Sequence, residues 1–220
     1  MSIKENLSEV RSQIPSHITL VAVSKTKPVE LIKEAYEAGQ KDFGENYAKE
    51  LEEKEIQLPK DIRWHAIGHL QTNKVKYIAP FVHLIHAVDS LSLLEEINKR
   101  AYKSNRKIDC LLQIFIAKEE TKFGFSIEEC EALLQSEEFK NLRHIRILGL
   151  MGMASNTPDN DQIRNEFRSL KSFFDKLTAQ NRNISILSMG MSSDYKIAIE
   201  EGSTMIRIGS SIFGERNYTK

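Results

Sequence analysis

Only two cysteines occur in the 220 residues, and they are far apart with no metal-ligand spacing. This excludes a disulfide-built framework and a cysteine zinc site. Cys110, in an apolar run, and Cys130, in a helical pattern, read as buried free thiols suited to a reducing compartment. An excess of one charge is also lacking. The 31 Lys plus Arg balance the 31 Asp plus Glu, so nothing draws the chain to nucleic acid or an acidic membrane surface. No run of about 18 apolar residues occurs. The opening MSIKENLSEVRSQI is charged and amphipathic, without the apolar core of a signal peptide. A cytoplasmic protein with no membrane partner is expected. No GxGxxG and no GKS or GKT is present, so nucleotide-binding folds gain no support. No Pro/Gly/Ser-rich linker or low-complexity segment divides the chain, and one domain over 1–220 is expected.

What the sequence does hold is 40% hydrophobic residues arranged in alternating short and long units. Short apolar runs at 18–23, 63–67, 83–88, 108–117, 145–150, 184–187 and 204–208 read as strands, with a further very short one at 41–43. Amphipathic patterns at 29–38, 46–56, 70–79, 91–104, 126–135, 159–179 and 193–200 read as helices. In 159–179, Ile163, Phe167, Leu170, Phe174 and Leu177 share one face, which predicts a long surface helix. Eight strands alternating with helices in roughly 200 to 250 residues match a (β/α)8 TIM barrel. A doubly wound open sheet is the alternative, because a pattern cannot display closure.

In either fold, chemistry belongs past the carboxyl ends of the strands, and the unusual residues gather there. SKTKP follows the first strand, GENYAKE the second and GHLQTNK the third. GMASNTP follows the sixth, SMGMSSD the seventh and RIGSSIFGER the eighth. In the last two loops, backbone N–H groups at helix starts, joined by Ser hydroxyls, would form an anion site; the ordinary alternative is a pair of N-caps. Lys25 ends an apolar strand. It is either a solvated loop lysine or, partly desolvated at a barrel mouth, an amine able to form a Schiff base with a carbonyl. Arg207, inside the apolar MIRIG, is costly unless paired and could hold an acceptor near the anion. His65 and His69 flank Gly68 and lack the glutamate of HExxH, while His83 and His86 would face opposite sides of a strand, so no metal site is expected. Trp64 reads as core.

VAVSKTKP, FGENYAKEL, WHAIGHLQTNK, LGLMGMA, LSMGMSSDY and GSTMIRIGSSIFGER together resemble the pyridoxal phosphate homeostasis protein family, single-domain relatives of the alanine racemase barrel. The match runs in register over almost the whole chain. The resemblance implies a fold type III protein binding pyridoxal 5′-phosphate (PLP). Lys25 matches the lysine of the internal aldimine. Ser192, Gly209 and Ser210 match the phosphate cradle, Arg207 the residue facing the pyridine nitrogen, and Asn46 a residue near the cofactor. His65, Met151 and Met189 are expected to line the pocket. An Arg at the pyridine nitrogen cannot take up its proton and leaves the ring a weaker electron sink than an Asp or Glu would. Alanine racemases carry a further β domain and a second acid/base tyrosine from the partner subunit, for which 220 residues leave no room. The resemblance therefore implies a monomeric carrier or regulator of vitamin B6 and amino-acid balance without strong catalysis, which could pass PLP to apo-enzymes. The alternatives are a weakly active racemase-like PLP enzyme, with Tyr47 or Lys74 as candidate base, and a cofactor-free Schiff-base aldolase.

Overall fold

Ser2 and Glu5 close a reciprocal capping box at the start of α1 (Ile3–Ser12), which turns Leu7 and Val10 into the core. The computed structural model describes residues 2–119, 123–181 and 183–214. The first apolar run becomes β1 (Thr19–Val23), whose three central residues are buried, as a strand covered on both faces requires. Pro28 is the N-cap of α2 (Val29–Glu37) and lies one residue before its first turn. The weakest strand pattern becomes the fully buried β2 (Asp42–Glu45), followed by α3 (Ala48–Gln57) and β3 (Arg63–Ala66). The expected helix at 70–79 is divided into a 3₁₀ turn, Thr72–Lys74, and the single turn α4 (Val75–Ile78). Then come β4 (Leu84–Val88), α5 (Leu91–Lys103), β5 (Ile108–Gln113), α6 (Ile127–Gln135), α7 (Glu137–Lys140) and β6 (Ile145–Met151). The long helix is α8 (Asn160–Gln180), capped by the Asp159 carboxylate and burying all five of the predicted face residues. The order ends with β7 (Ile186–Ser188), α9 (Tyr195–Glu200), β8 (Met205–Ile208) and α10 (Ser210–Phe213).

The eight strands form a closed parallel barrel in sequence order. Closure is made by β1 against β8, with Thr19 opposite Met205 and Ala22 opposite Ile208, which decides the barrel over the open sheet. A large apolar cluster fills the layer between the barrel and the helices and includes Phe43 and Trp64, whose rings lie 6.0 Å apart. A smaller cluster of Val21, Leu84, Ala87, Leu111, Met151 and Met205 fills part of the barrel interior. Gly149 allows β6 to approach β7 closely: a Cβ there would stand 1.7 Å from the Ile186 carbonyl oxygen. Both cysteines are buried free thiols, with burial pushing Cys130 up to about 12. Among the described residues no helix is long and apolar enough to cross a membrane.

Candidate functional site

At the carboxyl ends of the strands a cavity of about 500 Å³ opens, within the range of roughly 300–1,000 Å³ common to small-molecule sites. Lys25, Asn46, Ser192, Arg207, Gly209 and Ser210 all line it. Four separate strand ends and their loops therefore converge on one space. The charge of the lining is one-sided: it includes Lys25, Lys27 and Arg207 but no Asp or Glu among the described residues. Apolar walls come from Val23, Ile67, Phe123 and Met153. In a chain of zero net charge, such a lining favours a negatively charged, partly apolar ligand over a cation.

The loop that carries Lys25 is gripped on both sides by a buried ionic cluster. Ser24 Oγ donates to Glu45 Oε1 at 2.6 Å, the Lys54 ammonium donates to the Ser24 carbonyl at 2.9 Å, and the Thr26 amide donates to Glu50 Oε1 at 2.5 Å. Lys54 also pairs with Glu45 at 2.8 Å and Glu50 at 2.7 Å. Thr26 has φ 63, a left-handed conformation that these bonds hold in place. Sequence reading missed this cluster, taking GENYAKE as the loop after the second strand and 46–56 as an amphipathic helix. A signal was present, because Lys54 lies three residues after buried Leu51 and so shares its inward face.

Glu45 Oε2 is buried without a hydrogen-bond partner, and burial pushes the carboxyl up to about 7 against the pull of Lys54 and Ser24. A carboxyl raised above its unfolded value of 4.5 binds its proton more readily in the folded chain. Its contribution to stability therefore falls as pH rises from about 4.5 to about 7 and then levels off, a change of at most about 3 kcal/mol. Glu45→Gln should remove this slope. Melting temperatures of both proteins at pH 5 and pH 8 check it, and parallel changes in the two would count against it.

The last two loops are tied together where the Gly209 amide donates to Ser192 Oγ at 3.3 Å. Asp194 Oδ1 accepts from the Met191 amide at 2.6 Å, which shapes the loop bearing Ser192 and Ser193. The amides of Ser210 and Ser211 open α10 and have no earlier helical turn to bond. Lys27 is held at the other end of α10 by the carbonyls of Phe213 and Gly214, each at 3.0 Å. Arg207 is 4% exposed. It donates to Ser188 Oγ at 2.7 Å and to the Gly152 carbonyl at 3.1 Å, and burial lowers it to about 10, which leaves it cationic at neutral pH.

Three expected lining residues are elsewhere. His65 and Met151 point into the barrel below the cavity, and Met189 points out into the helical layer, as the two-residue alternation of strands requires. Met153 and Met191, two positions on in each case, line the cavity instead, together with His69, Gln113 and Phe123. His69 stacks on Phe123 at 4.0 Å and shares a hydrogen bond of 2.9 Å with Asp89. Tyr47, 62% exposed, and Lys74 border an adjoining surface depression and are not part of the cavity lining.

Fold and site together define a parallel eight-stranded barrel protein with a cation-lined, lysine-bearing pocket at its carboxyl mouth. A sequence profile described as "Alanine racemase, N-terminal domain" matches residues 1–217. The pyridoxal phosphate homeostasis protein of Aquifex aeolicus is 43% identical over 201 residues, covering 90% of this chain and 87% of that one. The protein of the same name from Escherichia coli K12 is 36% identical, covering 99% and 98%. PipY of Synechococcus elongatus, solved with PLP bound, superposes with a TM-score of 0.87 at 35% identity, covering 97% of this chain and 100% of that one. Alanine racemase of Clostridium difficile shares the fold, with a TM-score of 0.78 at 18% identity; this chain spans 57% of its length. The chain belongs to the pyridoxal phosphate homeostasis protein family.

Proposed function

We propose that the chain, acting as one domain over 1–220, holds PLP in the cavity at the barrel mouth and serves as a carrier or regulator of the cofactor. The observation that carries this reading is the cavity lining, with three cationic side chains, no acidic ones among the described residues and an apolar slot for a ring. The donor set fits PLP group by group. Ser192 and Ser210, with the neighbouring amides, are suited to the phosphate; Arg207 to the ring nitrogen; Asn46 to the ring edge; Lys25 to the aldehyde. Once bound, PLP supplies an electrophilic aldehyde and a ring that can accept electrons. Arg207 offers only N–H donors and so does not keep a proton on the ring nitrogen, which limits that acceptance. Tyr47 and Lys74, the candidate second bases, border the outer depression rather than the cavity, which favours carriage over racemisation. A cytoplasmic monomer that delivers PLP to apo-enzymes completes the reading.

The direct test is titration of the purified chain with PLP, followed by borohydride reduction and peptide mass mapping, with amino-acid racemisation assayed in parallel. A visible band, a pyridoxyl group on the Lys25 peptide and no racemisation above background are expected. A chain that remains colourless with added PLP would sink the cofactor reading; rapid racemisation would replace the carrier by an enzyme. Ser192→Ala and Ser210→Ala should each weaken PLP about tenfold, roughly the 1.4 kcal/mol of one bond to a charged group, while leaving capture of unphosphorylated pyridoxal unchanged. Equal losses for both ligands would place these serines away from the phosphate.

A further inference from the structure

The barrel interior is polar where its apolar cluster ends, and the polar groups are joined into one chain. Arg207 Nη1 lies 2.7 Å from Ser188 Oγ, which lies 3.0 Å from His86 Nδ1. His86 Nε2 lies 2.9 Å from His65 Nδ1, and His65 Nε2 lies 3.0 Å from Asp42 Oδ1. Asp42 in turn receives Arg63 Nε at 2.7 Å and Nη2 at 2.5 Å. The chain crosses from β8 through β7, β4 and β3 to β2. Its two ends lie at opposite ends of the barrel. Arg207 lines the cavity at the carboxyl mouth, and Asp42 with Arg63 lines a separate depression that also includes Pro15, Thr19 and Gly39, at the amino ends of the strands.

With both imidazoles neutral, proton counting gives the chain one direction. A guanidinium only donates, so Ser188 Oγ accepts from Arg207 and its single proton turns to His86 Nδ1. His86 then carries its proton on Nε2 and gives it to His65 Nδ1, and His65 gives its Nε2 proton to the Asp42 carboxylate. In the reverse order, neutral imidazoles would set the bare Nε2 of His65 against a carboxylate and leave the Ser188 proton without an acceptor among the described residues. Both histidines and Ser188 are buried, so each bond acts in a low dielectric and polarises the next.

Resting on the PLP reading above, we propose that Asp42, His65, His86 and Ser188 are positioning residues. Their one-directional hydrogen-bond chain holds Arg207 and sets, from the far end of the barrel, how strongly it donates to the ring nitrogen. Burial raises the Asp42 carboxyl, but the bonds from Arg63 and His65 pull it well below the usual carboxylate range, so the chain ends on a permanent negative charge. Burial also holds His86 well below its ordinary value, which keeps it neutral. The hydrogen-bond partners of Arg207 carry no charge; Asp194 attracts it through space from the neighbouring loop, and the chain adds the Asp42 charge from the other end of the barrel.

The test has two arms. In the cofactor-free protein, nitrogen-15 spectra of the histidines should find both His65 and His86 protonated on Nε2. Asp42→Asn keeps an acceptor oxygen for the His65 Nε2 proton and for Arg63 Nε but removes the charge, so both protons should stay on Nε2. In the loaded protein, the resonance of nitrogen-15 in the PLP ring should shift in Asp42→Asn and in Ser188→Ala. In the Ser188→Ala background, adding Asp42→Asn should produce no further shift. His86 protonated on Nδ1 in the native protein, a doubly protonated His65, or an Asp42→Asn ring shift that persists without Ser188 would overturn the proposal. If the chain takes up no PLP, the cofactor reading and the ring-nitrogen role fall together, and the histidine arm still decides the direction of the chain. If Asp42→Asn does not fold, Ser188→Ala alone decides the cofactor arm, because an unmoved ring resonance there refutes the coupling.

Discussion

Lys25→Ala, incubated with PLP and reduced with borohydride, should carry no pyridoxyl group, whereas the native chain carries one on the Lys25 peptide. The loss should be complete. Lys25 stands two residues past the end of β1 and lines the cavity together with the serines suited to the phosphate. The neighbouring lysine is no substitute, because its ammonium is bonded to the carbonyls of Phe213 and Gly214 at the far end of α10. Arg207 and the two serine loops are untouched by the substitution, so PLP should still bind reversibly, about ten- to a hundredfold more weakly, a loss of roughly 1.4–2.8 kcal/mol. Absorbance titration and mass mapping together check this. A pyridoxyl group appearing on Lys27 in the variant would show that the loop rearranges and that the grip on Ser24 and Thr26 is weaker than its bonds suggest.

The second large effect is expected from Lys54, a residue that never touches the cavity. The residue is 5% exposed, and its ammonium bonds Glu45, Glu50 and the Ser24 carbonyl. Lys54→Met leaves the fully buried Glu45 facing Glu50 without its cation, and Glu45, already raised to about 7, must stay charged and unpaired or take up a proton. Removing one partner of a buried ion pair costs about 3–5 kcal/mol, which for a chain of this size lowers the melting temperature by roughly 6–20 °C. The Lys25 loop should loosen at the same time, so PLP uptake should fall at temperatures where the variant is still folded. Combining Lys54→Met with Glu45→Gln should restore much of the stability, because no buried charge is then left uncompensated. A melting temperature within about 2 °C of the native protein for Lys54→Met alone would mean that the cluster is more hydrated than its burial indicates.

How much of this was legible in advance differs by element. Every strand could be found from a run of a few apolar residues, because burial on both faces leaves a continuous local signature. Even the short pattern at 41–43 marked β2, although its outer half, Gly44 and Glu45, looked like loop. The helix at 70–79 was read as longer than it is, since its apolar spacing is compatible with either a helix or the turn that occurs. Among pocket residues, Lys25, Asn46, Ser192, Arg207, Gly209 and Ser210 stand in strand-end motifs and were found; His69, although beside Gly68, was weighed only as a metal ligand, and Gln113 and Phe123 lie in a segment where no motif was read. Met151 and Met189 were each two residues short of the methionine that lines the cavity. Strand alternation decides which side a residue faces, but not where along the strand the cavity begins.

By itself the sequence determined that eight buried strands alternate with helices, that Lys25 follows the first of them, and that small polar residues collect after the last two. These depend on composition and period over a few neighbouring positions. Only the tertiary structure decided that β1 closes on β8, that Lys54 is buried beneath the Lys25 loop, and that His65, His86 and Ser188 meet inside the barrel. These join groups 30 or 102 positions apart, as with Lys54 to Ser24 and His86 to Ser188. No local propensity records such a pairing. It exists because closing the barrel removes water from both partners at once, and each buried polar group must then find its hydrogen bond in whatever the distant chain provides.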